Sequence, residues 1–530
     1  MLNTACVTQS GYWVPPKAPP NDQLVQVVDS TRLPDPPMPA LEATPTPEIQ
    51  FTATPQAILA PETTAQQPGA IETLALPTFA SPTATPLISE VNSSPILYYA
   101  QAADTLRVVA IRFGVQPYEI SSTQPIPETG FINPGQLLII PRRLANTTAS
   151  QHLIPDSEVV YSPSAVDFDA VAYTAGTGGY LRSYQEWHRS VGLTSGSDII
   201  MRVAIENSVN PRLLLALIEY QSGWVFGQPI SEQYKTYPMG YFNLAEQGLY
   251  NQLVWAVNQL SVGYYAYREG RLTDIQFRDG SSVRLAPDLN AGTAALQYYF
   301  AQLYQGQRWL EALDVTSGFP ALHARMFEQA WARAQAVEPL FPIGIVQPPL
   351  NLPFGRNWTW AFTGGPHGAW EHDGAYAALD FAPGTSEGGC HDSNAWVVAM
   401  SAGLVVRTGV GLVVLDLDGD GHEQTGWVVV YLHIATKDRI PLGTWLAAGE
   451  RLGHASCEGG FATGTHIHIA RKFNGEWVPA DGPLPFNLGG WIAHAGNEAY
   501  QGTLTRDGKT LIACVCSNYL TFITRTDEDP

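Results

Sequence analysis

The sequence predicts a multidomain α+β protein in five parts. They are a disordered Pro/Thr-rich spacer (1–95), a small βααβ unit (96–145), an all-α domain (159–339), an antiparallel β domain (350–500) and a C-terminal extension (501–530). Three observations carry this. At 530 residues the chain exceeds what a single hydrophobic core covers. Its apolar pattern changes along its length from aperiodic, to helical spacing, to short β runs separated by glycines. Nine of the twelve histidines follow residue 366, which places a site in the last domain.

Composition narrows the class. Charged residues make up only 14% and the formal net charge is −20, which argues against nucleic acid as a partner. No run approaches the roughly 18 to 20 apolar residues of a membrane span. Residues Leu2-Asn3-Thr4-Ala5-Cys6 resemble the tail of a bacterial lipoprotein signal, in which a small residue precedes a cysteine that is lipidated. That resemblance implies membrane anchoring through Cys6 and an extracytoplasmic, cell-envelope or secreted location; a chance cysteine is the other reading. The remaining cysteines, Cys390, Cys457, Cys514 and Cys516, are even in number, as disulfides in an oxidising compartment require.

Between about Pro15 and Pro95 the chain is Pro, Thr, Ala and Ser, as in Ala43-Thr44-Pro45-Thr46-Pro47. Proline removes backbone donors and no apolar period is present, so this segment is expected to be an extended spacer. The βααβ unit follows: a strand at Ile96-Leu97-Tyr98-Tyr99, a helix opening near Asp104-Thr105, a second near Pro117-Tyr118-Glu119-Ile120, and a strand after Asn133-Pro134-Gly135. The pieces Asp104-Thr105-Leu106, Ile111-Arg112-Phe113-Gly114-Val115 and Pro134-Gly135-Gln136-Leu137-Leu138-Ile139-Ile140-Pro141 resemble LysM domains, which implies binding of N-acetylglucosamine-containing glycans such as peptidoglycan.

In the helical region Asn210-Pro211 forms an N-cap and first-turn pair, and further helices are expected over 252–262, 291–303 and 324–336. Residues 210–224 resemble the first catalytic helix of lysozyme-like lytic transglycosylases, except that Gln221 stands where that family has a glutamate. An amide cannot act as a general acid, so this domain is expected to bind glycan or to space its neighbours rather than cleave. Glu219 falls on a different face of the helix.

The strongest chemical signal is Gly464-Thr465-His466-Ile467-His468-Ile469-Ala470. Alternation along a strand puts both imidazoles on one face, and imidazole nitrogen is a good zinc ligand. Zinc with an open position makes water reactive near neutral pH, which points to hydrolysis. Ala378-Leu379-Asp380-Phe381-Ala382-Pro383, Ala399 to Val406, Tyr431-Leu432-His433 and the His-x-His run together resemble the M23 peptidases, the lysostaphin and LytM-like zinc endopeptidases of peptidoglycan peptides. The resemblance implies that Asp380 and His468 bind Zn2+ and that His433 and His466 are catalytic. The family's other ligand, four residues before the aspartate, is replaced here by Tyr376. His367, framed as Gly364-Gly365-Pro366-His367 on a constrained turn, is favoured as the substitute over His372.

The expected function is therefore a zinc endopeptidase acting on the stem or cross-bridge peptides of peptidoglycan and brought to the wall by its LysM-like module. A non-catalytic wall binder or regulator of wall hydrolases is the alternative. Asp416-Leu417-Asp418-Gly419-Asp420-Gly421 begins like a calcium loop but has Trp427 at its twelfth position, so it is read as a hairpin turn.

Overall fold

The computed structural model describes residues 94–188, 191–370, 373–384, 388–515, 518–527 and 529. The expected spacer up to residue 93, together with Cys6, His372 and Cys516, lies outside the described residues.

Strand β1 (Ile96–Tyr99) pairs antiparallel with β2 (Leu137–Ile140) and is followed by helix α1 (Leu106–Phe113). Thr105 caps α1 by accepting from the Val108 amide, and Gly114 ends it in the left-handed region that a C-terminal cap favours. The expected second helix is only a single 3₁₀ turn, Pro117–Glu119, because Pro117 starts a turn that Ile120 leaves in extended conformation.

The second region is mainly helical: α2 (Ala170–Thr177), α3 (Gly196–Asn207), α4 (Pro211–Ser222), α5 (Gln233–Thr236), α6 (Leu249–Arg268), α7 (Ala291–Ala301), α8 (Gly306–Ala312), α9 (Phe319–Met326) and α10 (Ala330–Val337). It is not all-α. Two hairpins interrupt it, β3 (Gln185–His188) with β4 (Gly192–Ser195) and β5 (Asp274–Gln276) with β6 (Ser282–Arg284). Both pair short polar runs rather than packing an apolar helical face, so helical periodicity gave no sign of them. The helix expected over 324–336 is split, since Gln329 takes φ 65° between α9 and α10.

The third region is antiparallel β. Its strands are β7 (Thr359–His367), β8 (Ala378–Pro383), β9 (Trp396–Val398), β10 (Gly403–Gly409), β11 (Gly411–Asp416), β12 (Trp427–Ile434), β13 (Trp445–Leu446), β14 (Arg451–His454), β15 (Ile467–Phe473) and β16 (Glu476–Trp477), then β17 (Asn487–Leu488), β18 (Trp491–Ala495), β19 (Gly502–Arg506), β20 (Lys509–Ile512) and β21 (Phe522–Thr524). The main sheet runs β13-β10-β11-β12-β15-β8-β7-β21, with β16 on β15. Residues 501–530 are thus no appendage: β21 closes the edge of the main sheet against β7, and β19 pairs with β18.

Alternation assigns the two faces of this sheet. Leu412, Val414, Val428, Val430, Leu432 and Ala470 share a core with the helices, whereas Val413, Leu415, Val429, Tyr431, Ile467 and Ile469 pack into a second core on the opposite side. Cover on both sides explains why β11 and β12 are buried almost without interruption. Glu476, beside the helical region, accepts from Arg268 at 3.0 Å and from the Tyr264 hydroxyl at 3.3 Å, and the Tyr265 hydroxyl accepts from the Trp477 amide at 2.9 Å.

A candidate metal centre on the central strands

The register of β12, β15, β8 and β7 brings four histidines and one aspartate to a single place. His468 lies opposite Asp380 on one side and Leu432 on the other. Across β7, Gly364 faces Asp380 and His367 faces Ala378, with register shifts between those pairs. His367 therefore ends a strand and does not sit on a turn as expected: Gly364 and Gly365 bring the backbone close and Pro366 lies within β7 at a bulge. His466 immediately precedes β15 and bridges to Ser456. His433 takes φ 62°, and because Gly411 pairs with Ile434 while Leu412 pairs with Leu432, it is the extra residue of a bulge that redirects its side chain. A non-glycine residue in that region carries backbone strain, which the Ser456 amide and hydroxyl offset by donating to the His433 carbonyl.

Each imidazole is oriented by one backbone carbonyl. His367 Nδ1 donates to Gly365 O at 2.8 Å, His468 Nε2 to Ala369 O at 3.0 Å, His433 Nδ1 to Glu458 O at 2.9 Å and His466 Nδ1 to Gly464 O at 2.7 Å. These bonds fix which nitrogen donates, so in each neutral ring the other nitrogen carries a lone pair. Two of those lone pairs converge: His367 Nε2 and His468 Nδ1 are 3.0 Å apart, and each is 3.3 Å from Asp380 Oδ1. Asp380 Oδ1 is buried and lacks a bond of hydrogen-bonding geometry.

Three acceptors facing one another need a positive charge between them. A single proton bridges at most two, whereas a cation engages all three. Tetrahedral zinc with ligands at about 2.1 Å has ligand-to-ligand edges of about 3.4 Å, close to the triangle found here. The donor set, two imidazoles and a carboxylate, also suits zinc. His367, Asp380 and His468 thus fit a metal with at least one position open, and all three are buried.

Burial alone would raise the Asp380 carboxyl, but the neighbouring His367 and His468 outweigh it and hold Asp380 well below the usual carboxylate range. Burial would likewise lower His367, yet Asp380 and the Gly365 carbonyl raise it overall. His468 goes down, chiefly through burial. Burial, reinforced by repulsion from His466 and His468, pushes His433 down to about 3, so its ring is neutral throughout the physiological range. The rings of His433 and His466 are 4.3 Å apart, and His466 Nε2 is 4.0 Å from Asp380 Oδ2.

Sequence reasoning missed Tyr500, whose ring stacks on His367 at 4.1 Å and whose amide donates to the Pro366 carbonyl. It lies 133 positions from its partner, in a loop without periodic signal. The Cys390–Cys457 disulfide is formed and joins the two loops that border the site, one of which supplies the Glu458 carbonyl. Cys514 is also disulfide-bonded. Asp416 ends β11 and accepts from the amides of Asp418, Gly419 and Gly421, which makes that acidic segment the hairpin connection to β12. Gln221 and Glu219 lie in the helical region; Glu219 Oε2 accepts from the Val225 and Phe226 amides and so closes the turn after α4.

The model of the family described as LasA, N-terminal domain, matches residues 152–340. Protease LasA of Pseudomonas aeruginosa, strain UCBPP-PA14, is 27% identical over 361 residues, which cover 63% of this chain and 78% of that protein. Among solved structures, the M23 metalloprotease pseudoalterin from the deep sea is 24% identical with a TM-score of 0.27, covering 32% of this chain and 96% of its own. The catalytic domain of lysostaphin from Staphylococcus simulans is 21% identical with a TM-score of 0.17, covering 23% of this chain and 90% of its own.

Proposed function

We propose that this chain, a metallopeptidase similar to protease LasA, is a zinc-dependent endopeptidase that hydrolyses peptide bonds of bacterial peptidoglycan outside the cytoplasm. The observation that carries the metal reading is the triangle of His367 Nε2, His468 Nδ1 and Asp380 Oδ1, in which carbonyl-fixed tautomers turn lone pairs toward one another. His367, Asp380 and His468 would hold the zinc, which when bound supplies Lewis acidity at the scissile carbonyl.

The remaining chemistry belongs to His433 and His466. In both, Nδ1 is bonded to a backbone carbonyl, which leaves Nε2 as the nitrogen that can face water or substrate. With a pKa pushed down to about 3, the His433 ring is neutral at working pH, so its Nε2 can accept a hydrogen bond from the attacking water. His433 or His466 takes a proton from that water at Nε2. The imidazolium so formed then donates to the oxyanion or to the leaving amine. Burial of the centre keeps competing water few and the charges strongly coupled.

The choice of peptidoglycan rests on the M23-like motifs and on the LysM-like pieces between Asp104 and Pro141, which would raise the local concentration of wall substrate. Anchoring through a lipidated Cys6 would hold the enzyme at the envelope.

Elemental analysis of the full chain, combined with release of new amino termini from purified peptidoglycan, tests this reading. About one zinc per chain is expected, lost in His367→Ala and His468→Ala together with hydrolysis. A chain that binds no zinc on reconstitution, or that cleaves equally well after chelation, excludes it.

A further inference from the structure

A cavity of about 190 Å³ lies in the helical region, built by residues remote from the histidine centre. Its walls include Tyr234, Tyr241, Phe242 and Tyr304, together with the guanidinium groups of Arg278 and Arg308. Tyr241 is held flat against Trp255, with ring centres 4.2 Å apart and planes 5° apart. Arg308 lies 4.3 Å over the Tyr304 ring, and Arg278 lies 6.0 Å from the Tyr241 ring.

Three features point to an occupant. First, among the described residues neither guanidinium has a carboxylate within 4.0 Å, although the chain carries a net charge of −20. Two unpaired cations on one cavity of an acidic protein attract an anion, and the planar fork of arginine matches a carboxylate. Second, the wall is aromatic and partly exposed, with Phe242 half exposed, as suits the apolar face of a sugar ring. Third, the buried Gln221 carboxamide stands directly behind the wall. Its Oε1 accepts from the Tyr304 hydroxyl at 2.5 Å, a Cβ on the lining residue Gly240 would come within 3.2 Å of that oxygen, and Nε2 has no hydrogen-bond partner. Through the bond to Tyr304 the buried carboxamide holds that ring in place as part of the wall. The volume is below the roughly 300 to 1,000 Å³ usual for drug-sized ligands, so it suits one ring rather than a chain.

We propose that this cavity binds a pyranose sugar bearing a carboxylate, with its ring against the aromatic wall and its carboxylate between Arg278 and Arg308. Binding proceeds without cleavage, because no described residue lining the cavity is a carboxylic acid, which glycan hydrolysis needs. The proposal deepens the peptidoglycan reading, on which it rests only for the choice of probe.

The probe is a peptide-free tetrasaccharide of alternating N-acetylglucosamine and N-acetylmuramic acid, titrated calorimetrically into the full chain. The same tetrasaccharide with its lactyl carboxyls converted to primary amides is the comparison. The acid form is expected to bind at least tenfold more tightly. The Arg278→Gln/Arg308→Gln double variant should bind both forms alike, and Phe242→Ala should weaken both. Glycan binding elsewhere on the chain would persist in the double variant and leaves the comparison intact. If the double variant lacks a native thermal transition, Arg308→Lys is used instead; it keeps the charge but not the fork and should lose most of the preference. Equal binding of the two forms, a preference that survives the arginine substitutions, or no measurable binding of the acid form overturns the proposal. Peptide cleavage is assayed separately, so the failure of either reading leaves the other standing.

Discussion

Gly364 faces Asp380 across β7 and β8 so closely that a Cβ at position 364 would lie 2.5 Å from Asp380 Oδ2. The carboxylate occupies the space that only glycine leaves free. Gly364→Ala is therefore expected to displace Asp380, lower metal affinity by roughly ten- to a hundredfold and reduce hydrolysis in step. Competitive titration with a chromophoric chelator measures the affinity, and unchanged affinity would remove the steric argument.

His433 and His468 should separate in their effects. His468→Ala removes one corner of the acceptor triangle and is expected to abolish metal binding. His433→Ala should leave metal content near that of the parent while lowering kcat by about 10² to 10⁴. Parallel elemental analysis and steady-state kinetics make the comparison, and loss of metal in His433→Ala would move that residue into the ligand set.

The Cys390–Cys457 disulfide closes a segment with a sequence separation of 67. On the chain-entropy model its removal in Cys390→Ser/Cys457→Ser costs about 4 kcal/mol. Since Glu458 follows Cys457 and its carbonyl orients His433, activity should fall at temperatures where the protein is still folded. Activity measured alongside circular dichroism distinguishes this from simple unfolding.

Glu423 supplies an acid limit to stability. Buried with Arg407 and Lys472, it would be raised by burial alone, yet the two cations pull it down to about 2. A carboxyl with a depressed folded-state pKa stabilises the protein above its unfolded value and loses that contribution as pH falls toward the folded value. Stability should thus drop between about pH 4.5 and 2, by an amount on the order of 3 kcal/mol for this group. Glu423→Gln should be destabilised by about 3 to 5 kcal/mol at neutral pH, since it leaves two cations buried. Denaturant midpoints across this pH range test both statements.

Much of the centre was legible because its signals are local. His466 and His468 are two residues apart on a strand, and the Asp380 and His433 segments have their own short patterns. His367 is favoured for its glycine framing on a turn, and in the structure it ends β7 beside Asp380 and His468. The glycines serve close strand approach, Gly364 to Asp380 and Gly365 to the backbone of Gln501, rather than a turn. Tyr500 and the four orienting carbonyls could not be read at all, since main-chain oxygens have no residue signature and stacking on His367 depends on a long loop closure. The β3–β4 and β5–β6 hairpins were lost within a helical pattern, being short and weakly apolar. The β runs at 403–406, 412–417, 427–433 and 465–473 coincide with β10, β11, β12 and β15, but the sequence reads as a turn at the His367 end of β7, and nothing in it signals that residues beyond 500 complete the sheet edge, because β21 contributes only three residues.

The apolar strip formed by Leu412, Val414, Val428, Val430, Leu432 and Ala470 belongs to the same core as the helices. A β domain cut out at the sequence boundary near residue 350 would expose that strip to water next to the strands that carry the centre. Expressed alone, such a fragment should self-associate, and the segments before and after residue 340 should melt in one cooperative transition. Domain borders drawn from motif content and borders of cooperative folding are here different lines.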